Sequence, residues 1–508
     1  MAIAYRPDLF PNKIPLAKIQ GRGEITVSAK GIANGLSTIP NDGADAGPDT
    51  TYGSISFEIG TPYTKSSGIN ESLNYLNSQD SSGTVKLGSG VFYISETIVM
   101  NGVGTQLIGQ GPANLGLYLT TTSLGTKNRA SLIYAANSFN EDMLEAMGFN
   151  QLIENVGFYQ NPVNNTYDPS YHSGFTSMVG IGYKNNVGTP YHVSIVNCSF
   201  DEPLNIAIYV QNSGDVSDHW IVDNLIQNDS VDVSPQSSGI LIDTETIYTG
   251  GHSRVLGNRI LAMSGFGITV YDNSTTIAFN KIDLNGGTGI SVNGSFQNVI
   301  NNFLVGNGGD GIAWNSSGGY CGGNTILGSN ASNGGYSGIS FNGGYGFFSG
   351  NRIDGSATYG SSTARSQYGI GFNNSTTAGF FAVFKDNLLS GAYLTSPVQP
   401  IGSYTGILFD ASNIGFVPAS VAGTTAGSFV PNMTVQEPYY KKVVIYLDGY
   451  ENDTTTAQTY TFPVPFTTVA AITSNTASVP GVSTSLTTFS IAPDTTTAYT
   501  GIIVIEGY

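Results

Sequence analysis

Apolar residues in this chain alternate with polar ones in runs of only three or four positions, and the runs repeat. GISV at 289, GIAW at 311 and GISF at 338 are near-copies, and each lies downstream of an asparagine followed by an apolar pair: NKID at 280, NFLV at 302, NTIL at 324. Taking that asparagine as a marker gives Asn224, Asn258, Asn280, Asn302, Asn324, Asn351 and Asn387, spaced 34, 22, 22, 22, 27 and 36 residues. Weaker copies at ENVGF (154–158) and VNCSF (196–200) align better when shifted by one residue. The Gly-Ile phrase is a second marker: GILI at 239, GITV at 267, the three above, GIGF at 369 and GILF at 406. From each Gly-Ile between 267 and 338 to the next asparagine is 13 residues; the return step is 9 in three repeats and stretches to 14, 18 and 19 after Asn324, Asn351 and Asn387. A fixed period with length added at one place marks a solenoid.

Short alternating runs between Gly and Asn turns predict strands, three stacks of which face one interior. Three residues before the asparagine stand Ile221, Val255, Ile277, Val299, Cys321, Phe348 and Phe384. Two residues after it stand Ile226, Ile260, Ile282, Leu304, Ile326, Ile353 and Leu389, and the Ile of each Gly-Ile phrase supplies the third stack. This is the interior of a parallel β-helix. The asparagines suit left-handed turn positions, which Asn and Gly tolerate, and side chains one strand spacing apart can pair as a ladder. A second ladder is expected at Asn293, Asn315, Asn342 and Asn373.

Upstream, GINESLNYLNS (68–78) predicts a short amphipathic helix covering the open end of the solenoid, and GTVKLGSGVFYISETIVM (83–100) and GTQLIGQG (104–111) predict its first strands. That order, helix, GTVKLGSGVFYIS, TQLIGQG, then Asn-marked coils, resembles the right-handed β-helices of the pectate-lyase-like superfamily, particularly virus tail spikes. The resemblance covers about 60–410 and implies an all-β fold. It also implies that residues 1–45 attach a spike to its particle and that chains associate as a homotrimer. After 410 the repeat stops. ASVAGTTAGSFVPNMT reads as a linker (416–437), and KKVVIYLDGY, QTYTFPVPF, TTVAAITSN, SLTTFSIAP and YTGIIVIEGY alternate like a small β-sandwich (438–508) similar to C-terminal domains of viral tail fibres. The expected layout is therefore an attachment segment (1–45), a parallel β-helix (46–415), a linker and a tip.

Composition narrows the partners. Charged residues are 10% of the chain, against about 25% in an ordinary soluble domain. The net charge of −17 disfavours nucleic acid and anionic membranes. No stretch approaches the roughly 20 apolar residues of a membrane span, and MAIAYRPDLFPNKIPLAKIQ lacks the apolar core of a signal peptide. The tail-spike resemblance implies as partners host-surface polysaccharide or glycoprotein and, through the N-terminal segment, other virion proteins, with location at the virion surface. No cofactor is indicated. Cys198 and Cys321 lie about five coils apart, more than roughly 20 Å at 4.8 Å per strand, which excludes a disulfide. N-x-[ST] sites such as Asn273, Asn293 and Asn315 fall about as often as chance places them, so glycosylation is not indicated.

Candidate chemistry gathers in one stretch. Residues 201–245 hold Asp201, Glu202, Asp215, Asp218, Asp223, Asp229, Asp232, Asp243 and Glu245 without a single Lys or Arg. His192, His219 and His252 fall at the starts of corresponding strands within one residue of doubt, with Tyr191 and Asp218 beside them. The motifs of pectin-cleaving relatives (NTD, an Asp-Asp pair, Gly-His-Gly) are absent, and the Arg/Lys pattern of the Ca²⁺-dependent lyases is not evident. Glycoside hydrolysis needs two carboxyls about 5–9.5 Å apart, which one or two strand spacings supply. Candidates are Asp218, Asp243 and Glu245, with His219 in support; Tyr191, His192 and His252 would line the substrate. A cation held by the acids is a second reading, and a solvated acidic turn region a third. The long loops after Asn324, Asn351 and Asn387 carry Tyr336, Tyr359, Tyr368, Tyr393 and Tyr404, whose flat faces suit sugar rings as readily as they suit strands. Two functions remain: glycan recognition by a spike or fibre, and a polysaccharide depolymerase, hydrolase or lyase.

Overall fold

Each regular coil holds three strands, and equivalent strands of successive coils pair in parallel. In one coil these are Ile268–Val270, Thr276–Ala278 and Lys281–Asp283; the next coil places Ile290 on Ile268, Val299 on Ile277 and Leu304 on Ile282. Repetition gives three long parallel sheets: a Gly-Ile sheet, a leading sheet that ends just before each marker asparagine, and a trailing sheet that starts just after it. The result is a right-handed parallel β-helix. The computed structural model describes residues 24–28, 49–52, 55–57, 68–78, 82–111, 130–135, 139–160, 177–182, 192–212, 218–228, 237–244, 251–332, 334–359, 362–372, 381–399, 407–409 and 412–415, seven stretches between 432 and 507, and a few isolated positions.

The two Asn-referenced stacks are fully buried or nearly so, as are the Gly-Ile isoleucines from Ile240 to Ile370. Each such side chain contributes about 1.5–3 kcal/mol by leaving water. Towards the C-terminal coils the filling turns aromatic, with Phe348 stacked on Phe384 at 4.5 Å and Trp314 edge-on to Phe348 at 5.1 Å. Cys198 and Cys321 are buried free thiols. At the N-terminal end a helix, Ile69–Ser78, sinks Ile69, Leu73 and Leu76 into the same core, and Asn70 pins it by donating to the Thr97 carbonyl and accepting from Val99 N–H.

The ladder forms from Asn224 through Asn258, Asn280, Asn302, Asn324, Asn351 and Asn387 to Asn413, each Nδ2 donating to the next Oδ1 at 2.9–3.0 Å. Each Oδ1 also accepts the preceding asparagine's N–H. Above it, Val156 and Cys198 occupy the ladder position, which explains the one-residue shift of the weak copies.

Three expectations need correction. The ladder asparagines are not the left-handed residues. That conformation belongs to the residue before each, namely Asn155, Asn197, Asp223, Gly257, Phe279, Asn301, Gly323, Gly350 and Asp386. The two-residue corner divides its labour: one residue turns the chain and the other satisfies buried donors. GILF at 406 is not a Gly-Ile strand; Ile407–Phe409 joins the leading sheet with Phe409 on Phe384, while Ser396–Val398 takes the Gly-Ile place with Val398 on Ile370. Among the described residues the second ladder closes at one rung, Asn315 Nδ2 to Asn293 Oδ1 at 2.9 Å, and Asn373 lies outside them. A pair not foreseen, Asn285 and Asn307, makes the interior contact instead, at 3.0 Å.

Beyond the solenoid, Tyr440–Asn452 pairs antiparallel with Asp494–Gly507, and Gln458–Thr461, Thr488–Ile491 and Val482–Thr484 form a three-stranded antiparallel sheet. The proposed attachment segment lies almost wholly outside the described residues, as does the linker up to residue 431.

Candidate functional site

The corner between the Gly-Ile and leading sheets carries two side-chain columns. Strand pairing sets Ser194, Trp220 and Arg254 in one row, so that His192, Asp218 and His252 share the position two residues earlier. Asp218 is the centre of this group: its Oδ1 accepts from Arg254 Nη1 at 2.8 Å, and its Oδ2 lies 3.4 Å from His192 Nδ1. The Arg254 guanidinium also stacks over the Trp220 ring, 4.6 Å from its centre. His192 and Arg254 keep 53% and 39% of their side-chain surface exposed, so the contacts with Asp218 are solvent-screened and contribute little stability.

The second column closes the Gly-Ile strands. Gln211 pairs with Asp243, and in continued register come Tyr271, Asn293, Asn315 and Asn342. Tyr209 donates its hydroxyl to Asp243 Oδ2 at 3.3 Å, and Tyr271 is 47% exposed. A third carboxylate, Asp272, is buried beneath the corner, accepting from Asn273 N–H at 2.8 Å and from Ser253 Oγ at 3.4 Å.

Of the predicted residues, the corner brings together His192, Asp218 and His252, with Asp243 at the facing strand ends. His219 does not join them. It lies one residue further along, inside the solenoid between Val193 and Ser253, and is completely buried. Burial, with His192 nearby, lowers its pKa from 6.5 to about 3, so it is a neutral core residue and not a supporting acid or base. Glu245, Tyr191 and Tyr404 lie outside the described residues, as does the side chain of Tyr359, whose strand Ser356–Tyr359 forms a hairpin with Ser362–Arg365.

The described tyrosines, Tyr336, Tyr368 and Tyr393, belong to a different corner, the one between the trailing and Gly-Ile sheets. Tyr336 is 39% exposed there, and Tyr368 is half-buried at the start of its strand. Tyr393 is corrected from a sugar-stacking to a structural residue: it packs against the core and its hydroxyl donates to the Ile353 carbonyl at 2.8 Å. Sequence spacing aligned the insertions but did not reveal that Asp218 and Asp243 occupy a different edge from Tyr336 and Tyr368.

Trp220, Arg254, Gln211 and Tyr271 were missed by sequence reasoning. Their signal is parity: each stands an odd number of places from a buried stack residue and so faces outward. Asp310 was also missed. Burial raises its pKa from 3.8 to about 6, against the opposing Ser337 and Ser340 hydrogen bonds. Among the described residues no three His, Cys, Asp or Glu side chains gather into a metal-binding group, and no helix is long and apolar enough to cross a membrane.

A family model described as a right handed beta helix region matches residues 179–326. No curated protein matches the sequence. Among solved structures, the chain is similar to the Dettilon tailspike protein gp208 (12% identity, 88% of this chain and 91% of that one, TM-score 0.41). It is also similar to the tailspike protein of E. coli bacteriophage HK620 in complex with pentasaccharide (11%, 89% and 91%, TM-score 0.41). A third is the A-module of the Azotobacter vinelandii mannuronan C-5 epimerase AlgE6 (14%, 69% and 94%, TM-score 0.39).

Proposed function

We propose that this protein is a virion spike or fibre component that recognises a host-surface glycan along the Gly-Ile/leading corner of its solenoid. The observation that carries the reading is the pair of in-register columns there. Hydrogen-bonding side chains recur once per strand spacing, about 4.8 Å, beside half-buried Trp220 and exposed Tyr271. A repeating polymer needs a repeating set of donors, acceptors and flat apolar faces, and this corner supplies all three. In this reading residues 1–45 tie the chain to other virion proteins and three chains associate side by side.

The test is retention of purified host-surface polysaccharide by the intact protein and by Arg254→Ala and Tyr271→Ala variants. Binding weakened at least tenfold in either variant supports the corner as the binding surface; unchanged binding in both refutes it.

The depolymerase reading has one favourable observation. Asp243 ends a Gly-Ile strand at the same corner whose leading strand Asp218 precedes, so two carboxyls flank one edge. Reducing-end release from the same polysaccharide decides it. Release lost in an Asp218→Asn, Asp243→Asn double variant makes the protein a depolymerase; binding without release in any variant makes it an adhesin.

A further inference from the structure

Continuing along the solenoid axis, the leading sheet turns an aromatic surface outward. Phe296 is 65% exposed, Tyr345 50%, Phe381 41% and Phe347 40%. Tyr345 pairs with Phe381 directly, and with Ser317 on its other side across a bulge. Two residues further along the strands, Asn298, Tyr320, Phe347 and Val383 form the adjoining column. Tyr320 and Phe347 are stacked, 5.9 Å between ring centres and 20° between planes. Tyr320 lies flat enough over its own strand that a methyl on Gly322 would meet its ring at 2.2 Å. Gly318, between Phe296 and Tyr345, leaves the floor open beside the Phe296 ring, which a methyl there would contact at 3.1 Å.

Phe296 is the informative residue. Its φ is 56°, the left-handed region that a bulky side chain adopts only at a cost Gly or Asn would not incur. Its ring then stands in water. Ser274 makes the same left-handed turn one coil earlier, so the turn itself belongs to the corner; what distinguishes Phe296 is an exposed ring at a turn position within a group of five aromatics.

We infer that Phe296, Tyr320, Tyr345, Phe347 and Phe381 form a stacking platform for an uncharged, extended glycan, which enters from the corner and lies along the axis. This rests on the glycan reading above and names the substrate class: neutral sugar residues. Charge argues for that class, since neither aromatic column contains a charged side chain. The hydroxyls of Ser295 and Ser317, 2.6 Å apart, and the Asn298 amide lie beside the rings, where the equatorial hydroxyls of a stacked sugar would need partners. Size argues against a second protein chain as occupant. Four strands and two columns span about 14 Å by 7 Å, on the order of 100 Å², where a stable protein interface needs about 800 Å² per partner.

The experiment compares the intact protein, Phe296→Asn, a Tyr345→Ser, Phe347→Ser double variant and the corner variant Arg254→Ala. Probes are labelled neutral hexose oligosaccharides of increasing length and uronic-acid oligosaccharides of the same lengths; sedimentation and melting temperature are read in parallel. The expected result is salt-insensitive binding of the neutral series, strengthening until the oligosaccharide spans the four strands. Both platform variants should lose it at least tenfold, with melting temperature unchanged or, for Phe296→Asn, raised. Undiminished binding by both platform variants overturns the platform while leaving glycan recognition standing, the more so if Arg254→Ala abolishes it. A preference for the uronic acids overturns the neutral class. A change in sedimenting mass in the platform variants would show that a second copy covers the surface. No oligosaccharide bound by any form overturns both this inference and the reading it rests on.

Discussion

Two columns of asparagine, both close to a 22-residue spacing over the regular coils, behave differently in this molecule. Inside, from Asn224 to Asn387, every amide donates to the next rung and also to a main-chain carbonyl, as Asn302 does to Asn324 Oδ1 and the Ile277 carbonyl. Outside, at Asn293, Asn315 and Asn342, one rung pairs. Asn293 otherwise turns to the Val270 carbonyl and Ser291 Oγ, and Asn342 accepts from Ser340 Oγ. Residue type and period are shared, so the difference is burial. A buried amide left unpaired forfeits about 1–3 kcal/mol, and only the ladder geometry satisfies both its donors and its acceptor. A half-exposed amide has water as an alternative partner, and so remains available to a ligand.

The largest effect that tests this contrast is expected at Asn302→Leu. The variant strands the Asn280 N–H, the Asn280 amide and the Ile277 carbonyl in the core, and should destabilise the protein by about 3–5 kcal/mol in chemical denaturation. A cost below about 1 kcal/mol would mean that water reaches the ladder.

His219 extends the contrast to charge. Its folded pKa is depressed to about 3 from 6.5, so below pH 6.5 the unfolded chain takes up a proton that the native state refuses. Native stability therefore falls as pH drops from 6.5 towards 3, by on the order of 3 kcal/mol. Denaturation curves at pH 7, 5 and 4 should show that slope in the natural protein and a flatter one in His219→Leu. Parallel pH profiles for the two would rule out His219 as the source. The smallest effect belongs outside: Asn315→Ala should change stability by no more than about 0.5 kcal/mol, while weakening the glycan binding proposed for its column.

The solenoid was legible because its period is written in residues that have no choice. Ile, Val and Leu at fixed offsets from an asparagine admit one interior, and the three stacks follow by counting. Errors arose where counting lacked a physical constraint. Asn at a corner suggested a left-handed turn, yet two adjacent corner residues compete for that role, and the buried amide cannot hold its ladder partners and make the turn as well. GILF at 406 matched a phrase but not a position, because the insertion after Asn387 holds Ser396–Val398 and fills the Gly-Ile place before GILF is reached. One residue of register separated His219 from His192 and His252, and in a strand one residue is the difference between core and solvent.

The sequence by itself determined the coil, its interior and its asparagine ladder, because periodic burial leaves a periodic trace. Only the tertiary structure decided which edge each chemical group occupies. It set Arg254 between Asp218 and the Trp220 ring, put Tyr336 and Tyr368 on another corner, and brought Phe296 beside the paired Tyr345 and Phe381 as an exposed surface. Asp218 and Arg254 lie 36 residues apart in the chain, as do Tyr345 and Phe381, and Phe296 lies 49 from Tyr345, yet in space each pair is one or two strand spacings apart. Parity marks a residue as outward-facing, but no burial constraint says in advance which outward-facing residues meet.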